Sequence, residues 1–398
     1  MKKIVLISTI SAMALFATNG DTLIGTGTKA RGMGGAGIGI SHCAESTLYN
    51  PALITCTRGT SVSFGGIIFM PDISAKVGAN PSYDSSADMN VIPSIAISHK
   101  IDDNWYVGIG MWGTAGMGVD YRDSNPTSPT DSGNMKMVTN LQLMQFAPSI
   151  AYSTGKSGIA LTTIVQYGAL DINYKMPTPG GIVNVGDGVS QDFGYGFNLG
   201  AYYDLENGVT LGAVYKSKIK MKYDHQLSTA TQPFVGMGAF PSALDDYLDQ
   251  PSEIGVGLGY KTGQHIFALD YKKIKWSDAR GYKDFGWEDQ DVYALGYQFK
   301  NGKWKYRAGY NYASSPVTEQ AATPAGLATN LFNLLGFPAT AETHYTIGTG
   351  YEFSDNFYVD CAYVYAPETT KTMNTSFGTS TVKHSESSLS VQVSYRFF

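Results

Sequence analysis

The stretch Trp304-Lys305-Tyr306-Arg307-Ala308-Gly309-Tyr310-Asn311-Tyr312 decides the fold. Trp304, Tyr306, Ala308, Tyr310 and Tyr312 fall on one face, and Lys305, Arg307, Gly309 and Asn311 on the other. Strict period-two alternation of this kind is the signature of a strand with one apolar and one polar face. It recurs at Tyr345, Ile347, Thr349, Tyr351 and Phe353, at Phe193, Tyr195, Phe197, Leu199 and Tyr203, and at Leu389, Val391, Val393, Tyr395 and Phe397. About fourteen segments read this way: 60–70, 91–101, 104–118, 140–153, 157–174, 190–204, 208–222, 252–261, 264–276, 287–299, 303–314, 342–353, 356–366 and 384–398. Each meets or exceeds the roughly 9–11 tilted residues that cross a bilayer as a strand.

The links between segments alternate in length. Short ones are Asp102-Asp103, Thr154-Gly155-Lys156, Glu206-Asn207, Thr262-Gly263, Asn301-Gly302 and Ser354-Asp355; long ones are 71–90, 119–139, 175–189, 223–251, 277–286, 315–341 and 367–383. Short periplasmic turns and long extracellular loops are the rule for transmembrane barrels. The expected fold is therefore all-β, a transmembrane antiparallel β-barrel of about 14 strands. Tyr395-Arg396-Phe397-Phe398 supports it, since outer-membrane barrels end on an aromatic-bearing strand.

Composition excludes other classes. Charged residues make up 15% of the 398 residues, against about 25% in soluble domains. The chain carries 27 Tyr and 46 Gly, which argues against disorder. A net charge of -5 without a basic block argues against nucleic-acid binding. Mean hydropathy is -0.12, and the run Ile4 to Ala17 is too short to span a bilayer as a helix. Met1-Lys2-Lys3, the apolar Ile4 to Phe16 and the small residues Ala17, Thr18 and Gly20 form a secretory signal pattern over 1–20, rather than a core helix. The destination is the bacterial outer membrane. Cys43 and Cys56 either pair in the oxidising periplasm or remain two buried thiols. Cys361 shares a face with Phe357, Val359 and Tyr363 and reads as a small hydrophobe.

Residues 21–58 do not read as a membrane strand. Gly32-Met33-Gly34-Gly35-Ala36-Gly37 and Tyr49-Asn50-Pro51-Ala52-Leu53-Ile54 fit either a periplasmic tail or a plug packed in the lumen. Lys29-Ala30-Arg31-Gly32-Met33-Gly34-Gly35-Ala36, followed by Asn50-Pro51-Ala52-Leu53, resembles the N-terminal hatch of the FadL family. These are outer-membrane transporters of long-chain fatty acids, with relatives that admit aromatic hydrocarbons. Pro251-Ser252-Glu253-Ile254-Gly255, Tyr306-Arg307-Ala308-Gly309-Tyr310 with Ser315-Pro316-Val317, and His344-Tyr345-Thr346-Ile347-Gly348 are also similar. The resemblance implies a hatch over 21–58, inside a fourteen-stranded barrel over 59–398 with long extracellular loops. It implies passive uptake of long-chain fatty acids or, alternatively, aromatic hydrocarbons, without ATP or cofactor. Extracellular loops capture the substrate, an internal pocket holds it, the hatch rearranges, and a kinked third strand releases it sideways. Partners are then hydrophobic small molecules, outer-membrane lipid and lipopolysaccharide, for a monomer.

Asn50, Pro51 and Ala52 match the family's hatch motif. The fourth long loop holds Phe234, Val235, Met237, Phe240, Leu244 and Leu248, with Ser242 expected to cap a helix over 243–248. The sixth holds Leu331, Phe332 and Leu335. Their apolar character fits a water-facing capture surface or a lid packed on itself. The third strand is rich in glycine, at Gly108, Gly110, Gly113, Gly116 and Gly118, and Gly108, Gly110 and Gly113 are the candidates for a lateral opening, because glycine weakens a strand ladder. Parity points Arg307 and Lys305 into the lumen, along with Lys216, Lys218 and Lys220. There they would meet a fatty-acid carboxylate, or pair structurally with Glu352 or Asp270. Three other readings remain: a general porin, a phage-receptor or adhesin barrel, and a lipid enzyme. The enzyme is disfavoured because His42, His344 and His384 fall in separate sequence segments, with no nucleophile motif beside them.

Overall fold

The computed structural model describes residues 18–125, 133–178 and 180–397. Most of the expected signal segment, residues 1–17, lies outside them, as does Phe398. Fourteen strands form the wall: β1 (Thr60–Lys76), β2 (Asn90–Lys100), β3 (Trp105–Asp120), β4 (Val138–Ser153), β5 (Ser157–Thr178), β6 (Ser190–Asp204), β7 (Val209–Lys216), β8 (Glu253–Thr262), β9 (His265–Ile274), β10 (Gln290–Asn301), β11 (Trp304–Ala313), β12 (Thr343–Glu352), β13 (Phe357–Thr375) and β14 (Gly378–Phe397). Each pairs antiparallel with its neighbours, and β14 returns to β1 from Phe397↔Thr60 to Thr381↔Lys76, closing the barrel. Closure matters because a strand edge left open in hydrocarbon would strand its backbone donors and acceptors.

The alternation read from the sequence is realised in the wall. Along β11, Trp304, Tyr306 and Tyr312 are exposed outward while Arg307 and Asn311 are buried inward. Along β13, Cys361 sits on the outward, half-buried side with Val359 and Tyr363. Aromatic pairs line the short-turn end, with Trp105 and Tyr152 at 5.0 Å and Trp304 and Tyr351 at 4.6 Å. Rings at that depth fit the amphipathic water–lipid boundary.

Three of the long links are shorter as loops than the sequence suggested. The 367–383 link is a continuation of β13 and β14 down to a tight turn at Ser376-Phe377, with a bulge between Ala366 and Thr369. Residues 174–178 and 181–185 likewise pair as a hairpin extension. Ser82–Asp84 pairs back on β1. These extensions lack a lipid-facing apolar stripe because they stand in water, so the alternation that marks a membrane strand fades although the backbone stays paired.

Residues 18–58 run inside the barrel. Thr18–Asn19 pairs with Thr22–Leu23 as a small arm. A helical turn at Thr28–Arg31 and 3-10 turns at Cys43–Leu48 and Pro51–Cys56 complete the hatch. Thr18 and Asn19, which lie in the expected cleavage region, are buried parts of this arm. Close approach explains the glycines. A Cβ on Gly34, which has φ +68, would come within 2.6 Å of the Tyr310 carbonyl oxygen, and one on Gly309 would strike the Gly34 backbone.

Candidate functional site

The wall is incomplete beside β3. β2 and β3 pair from Lys100↔Tyr106 to Ser94↔Trp112 and then part. The register of β3 against β4 shifts between Gly113 and Ala115. Above that bulge β4 is the one wall strand that β3 pairs with, while Asn90–Pro93 of β2 pairs with β1 as its one wall partner. A bulge bends its strand and interrupts pairing, which is how this chain parts two neighbours without ending either.

The hatch arm fills the gap from inside. Thr22 pairs with Ala115, and Gly116 N donates to the Asp21 carbonyl at 3.1 Å. Above, Ser86 N donates to the Asp120 carbonyl at 2.8 Å. These bonds satisfy β3 groups that would otherwise face hydrocarbon unpaired. The Asp21 carboxylate is buried and accepts from Tyr282 Oη and from Gln250 Nε2, the latter at 3.1 Å. The arm is thereby tied to two extracellular loops as well as to the wall.

Burial pushes the Asp21 carboxyl above its ordinary value of 3.8, against the opposing hydrogen bonds of Tyr282, Gln250 and Thr22. The folded arm therefore holds a proton more tightly than the unfolded chain. Its stability is full below the unfolded value and is lost as pH rises through the raised one. Amide exchange in residues 18–23 should accelerate across that window beyond the intrinsic rate. Asp21→Asn, which keeps a carbonyl acceptor, should remove the extra dependence; an unchanged profile in that variant would clear Asp21 of the effect.

Behind the arm lies a chamber of about 540 Å³, within the usual range of ligand sites. Leu23, Phe69, Ile92, Met117, Leu141 and Leu143 supply apolar walls, His384 and Glu386 line one part, and Asp120, Arg122 and Asp171 line another. Met89 and Val91, 65% and 73% exposed, also border it, so it reaches the outer surface beside the gap.

The loops cover the chamber as a packed lid. α1 (Leu227–Gly236) and α2 (Pro324–Leu335) bring Phe234, Leu331, Phe332 and Leu335 into a core with Phe240 and Leu248, all buried. Val235 and Leu244 pack partly buried against it. Met237 alone of the nominated loop residues stays exposed, at 56%. The water-facing capture surface is thus not what these side chains form. Nor is the helix at 243–248 formed. Leu248 N and Gln250 N instead bond extended to the Met221 and Ile219 carbonyls. The helix lies at α1, where Asp246 accepts from Ser228 N at 2.9 Å near its start.

Asn50, Pro51 and Ala52 lie at the hatch's short-turn side. Asn50 Nδ2 donates to the Ile38 and Ala201 carbonyls at 2.9 and 2.8 Å, and Asn50 Oδ1 accepts from Ala52 N at 3.2 Å. One side chain therefore joins two hatch segments to the wall. Pro51 opens the 3-10 turn, and Ala52 packs among Ile54, Tyr106, Ala151 and Ala160. Cys43 and Cys56 are disulfide-bonded around this motif. Closing a loop of this size stabilises by roughly 3 kcal/mol in the chain-entropy account.

Other nominated residues sit elsewhere. Gly113 borders the gap, but Gly108 and Gly110 lie in the paired part of β3, opposite Ser98 and Ala96. Arg307 and Lys305 face inward as expected, yet near the short-turn end and away from the chamber. Arg307 Nη1 bonds Asp360 at 2.8 Å, Arg307 Nε bonds Gln298 at 2.8 Å, and Lys305 Nζ bonds Glu352 at 2.7 Å. They are spent on wall pairs, so the structure does not place them for a substrate carboxylate. Lys216 instead pairs with Glu253 at 3.4 Å, and Lys218 and Lys220 lie beyond the end of β7. The residues missed are Asp21, Thr22, Ala115, His384 and Glu386. Inward parity of His384 and Glu386 in a serine-rich strand face was a usable signal for the last two.

A closed barrel with a lumenal hatch and a chamber beside its wall defines the class of outer-membrane barrel transporters. Residues 4–397 match the family model described as outer membrane protein transport protein (OMPP1/FadL/TodX), and the chain belongs to this family. It is 23% identical over 370 residues to the long-chain fatty acid transport protein of Escherichia coli O6:H1, covering 79% of this chain and 80% of that one. It is 21% identical over 404 residues to the 47 kDa outer membrane protein of Pasteurella multocida, covering 91% and 92%. In fold it is similar to the Pseudomonas putida toluene transporter TodX, with TM-score 0.72 and 18% identity over 94% of this chain and 99% of that one. A Pseudomonas aeruginosa FadL homologue gives 0.70 and 15% over 97% and 100%. The family consists of transport channels rather than enzymes, and its place is the bacterial outer membrane.

Proposed function

We propose that this protein takes up hydrophobic compounds, of the fatty-acid or aromatic-hydrocarbon class, through the lid and chamber and out sideways through the β2–β3 gap. The single observation that carries this reading is the chamber's position, lined by the hatch arm on one side and by exposed Met89 and Val91 on the other. A hydrophobic molecule gains free energy by leaving water for the chamber and again by entering lipid, so no energy source is required. The lid must part for entry, since its apolar side chains are packed on one another. The arm must shift for cargo to pass from the lumen to the gap, since Asp21 and Thr22 lie across it on the inner side. The Asn50 bonds and the Cys43–Cys56 link anchor the remainder of the hatch, so the arm is the segment that moves.

A strain lacking the gene should take up labelled toluene or long-chain fatty acid more slowly than the same strain carrying it. Equal rates for both cargoes would overturn the transport reading. Large steady ion conductance in planar bilayers would favour a general porin instead.

A further inference from the structure

The chamber's charged lining is acidic. Its ionisable carboxylates are Asp120, Asp171 and Glu386, and its one guanidinium, Arg122, already binds Asp120 through Nε at 2.9 and 3.0 Å. No lysine lines it among the described residues. Asp120 and Asp171 stand on the outward face of β3 and β5, and only Glu386 is buried on the inward side, so a carboxylate cargo that reaches it meets a like charge shielded from water, where repulsion is strong.

Glu386 carries the more specific signal. It is 2% exposed and lines the chamber beside His384. Its Oε1 accepts from Thr18 Oγ1 at 2.6 Å and lies 3.2 Å from His384 Nε2. Its Oε2 has no hydrogen-bond partner among the described residues. His344 Nε2 lies 3.9 Å from it and accepts from Thr18 N at 3.1 Å, so in that tautomer Nε2 has no proton to give. A buried carboxylate oxygen without a donor is costly, and a ligand that supplies one recovers that cost.

Building on the transport reading above, we infer that the chamber selects uncharged hydrophobic molecules bearing one hydrogen-bond donor, a phenol or an alcohol, with Glu386 as the acceptor. The apolar walls take the hydrocarbon body and Glu386 orients the hydroxyl. Charged fatty acids are disfavoured by the same residue. Plain hydrocarbons fit the walls but leave Oε2 unpaired.

The test is a matched series of para-propylphenol, propylbenzene and para-propylbenzoate, titrated into the full chain in one detergent and corrected for measured micelle partition. The phenol is expected to bind about tenfold more tightly than the hydrocarbon, as a hydrogen bond to a charged group would give. The benzoate is expected to bind weakest. In Glu386→Gln the charge is lost, so the benzoate should gain about tenfold and the phenol preference should narrow. A wild-type protein that binds the benzoate as tightly as the phenol overturns the inference, as does an unaltered ranking in a folded E386Q protein. Should E386Q fail to fold by circular dichroism, the wild-type ranking decides alone. Binding of none of the three, with no uptake in cells, would instead overturn the transport reading.

Discussion

Locking the hatch arm to the wall should stop release. In the double variant Thr22→Cys with Ala115→Cys, uptake of hydrophobic cargo is expected to fall by about tenfold or more, because a gating segment that cannot move sets the rate. The two residues are direct antiparallel partners. Such partners lie roughly 4.5–5.5 Å apart at Cα, inside the span that a disulfide bridges. The bond would hold the arm across the opening between β2 and β3. It would leave the lid and the Asn50 anchor untouched. Reductant should restore uptake. Because reductant also opens the native Cys43–Cys56 link, wild type and both single variants must be treated alongside. Full uptake by the oxidised double variant would show that cargo leaves by another route, such as past the hatch floor.

Removing the centre of the lid should have the largest effect on stability. Phe332 is 1% exposed and sits 5.1 Å from the Phe234 ring, 5.7 Å from Phe285 and 6.2 Å from Tyr174, measured between centroids. These rings come from four different segments, so one side chain ties α1, α2, the β9–β10 loop and the top of β5 together. Phe332→Ala is expected to cost the lid about 3–5 kcal/mol, the usual range for a buried phenylalanine truncation. The membrane part of the barrel should persist, since its ladder does not depend on this contact. Hydrogen exchange in residues 227–236 and 324–335, with protease cleavage of the loops on intact cells, measures the loss. Met237→Ala is the comparison: exposed and outside the core, it should change stability by less than about 0.5 kcal/mol. Equal protection in F332A and M237A would remove Phe332 from the centre of the lid.

The two variants probe the parts of the protein where sequence reading had least purchase. Apolar residues such as Phe234, Leu331 and Phe332 were visible, but composition is the same for a capture surface and for a lid. The distinction lies in whether distant loops meet. The glycines of β3 marked the correct strand, and Gly113, Gly116 and Gly118 border the opening while Gly108 and Gly110 lie in its paired part. A gap arises where two neighbours part, and parting depends on the register of both. Arg307 was assigned the correct face, but parity left open whether it meets cargo or a wall carboxylate, because it states inside or outside and says nothing of height along the lumen. Asp21 and Thr22 carried no signal, as their meaning comes from Ala115, Tyr282 and Gln250 far along the chain.

By itself the sequence determined the membrane barrel, its fourteen strands, which face of each meets lipid, and the presence of a hatch-like segment before them. The hatch came from the family resemblance; the others rest on local properties. Side-chain parity repeats every two residues, and the bilayer demands an apolar face of fixed minimum length wherever a strand crosses it. Only the tertiary structure decided that β2 and β3 part above Trp112, that the hatch arm closes the opening, that the loops fold into one lid, and that Glu386 rather than Arg307 borders the chamber. Those outcomes depend on barrel closure and inter-strand register, which bring together residues more than three hundred positions apart, such as Thr18 and Glu386. No periodicity within a single segment encodes such a meeting.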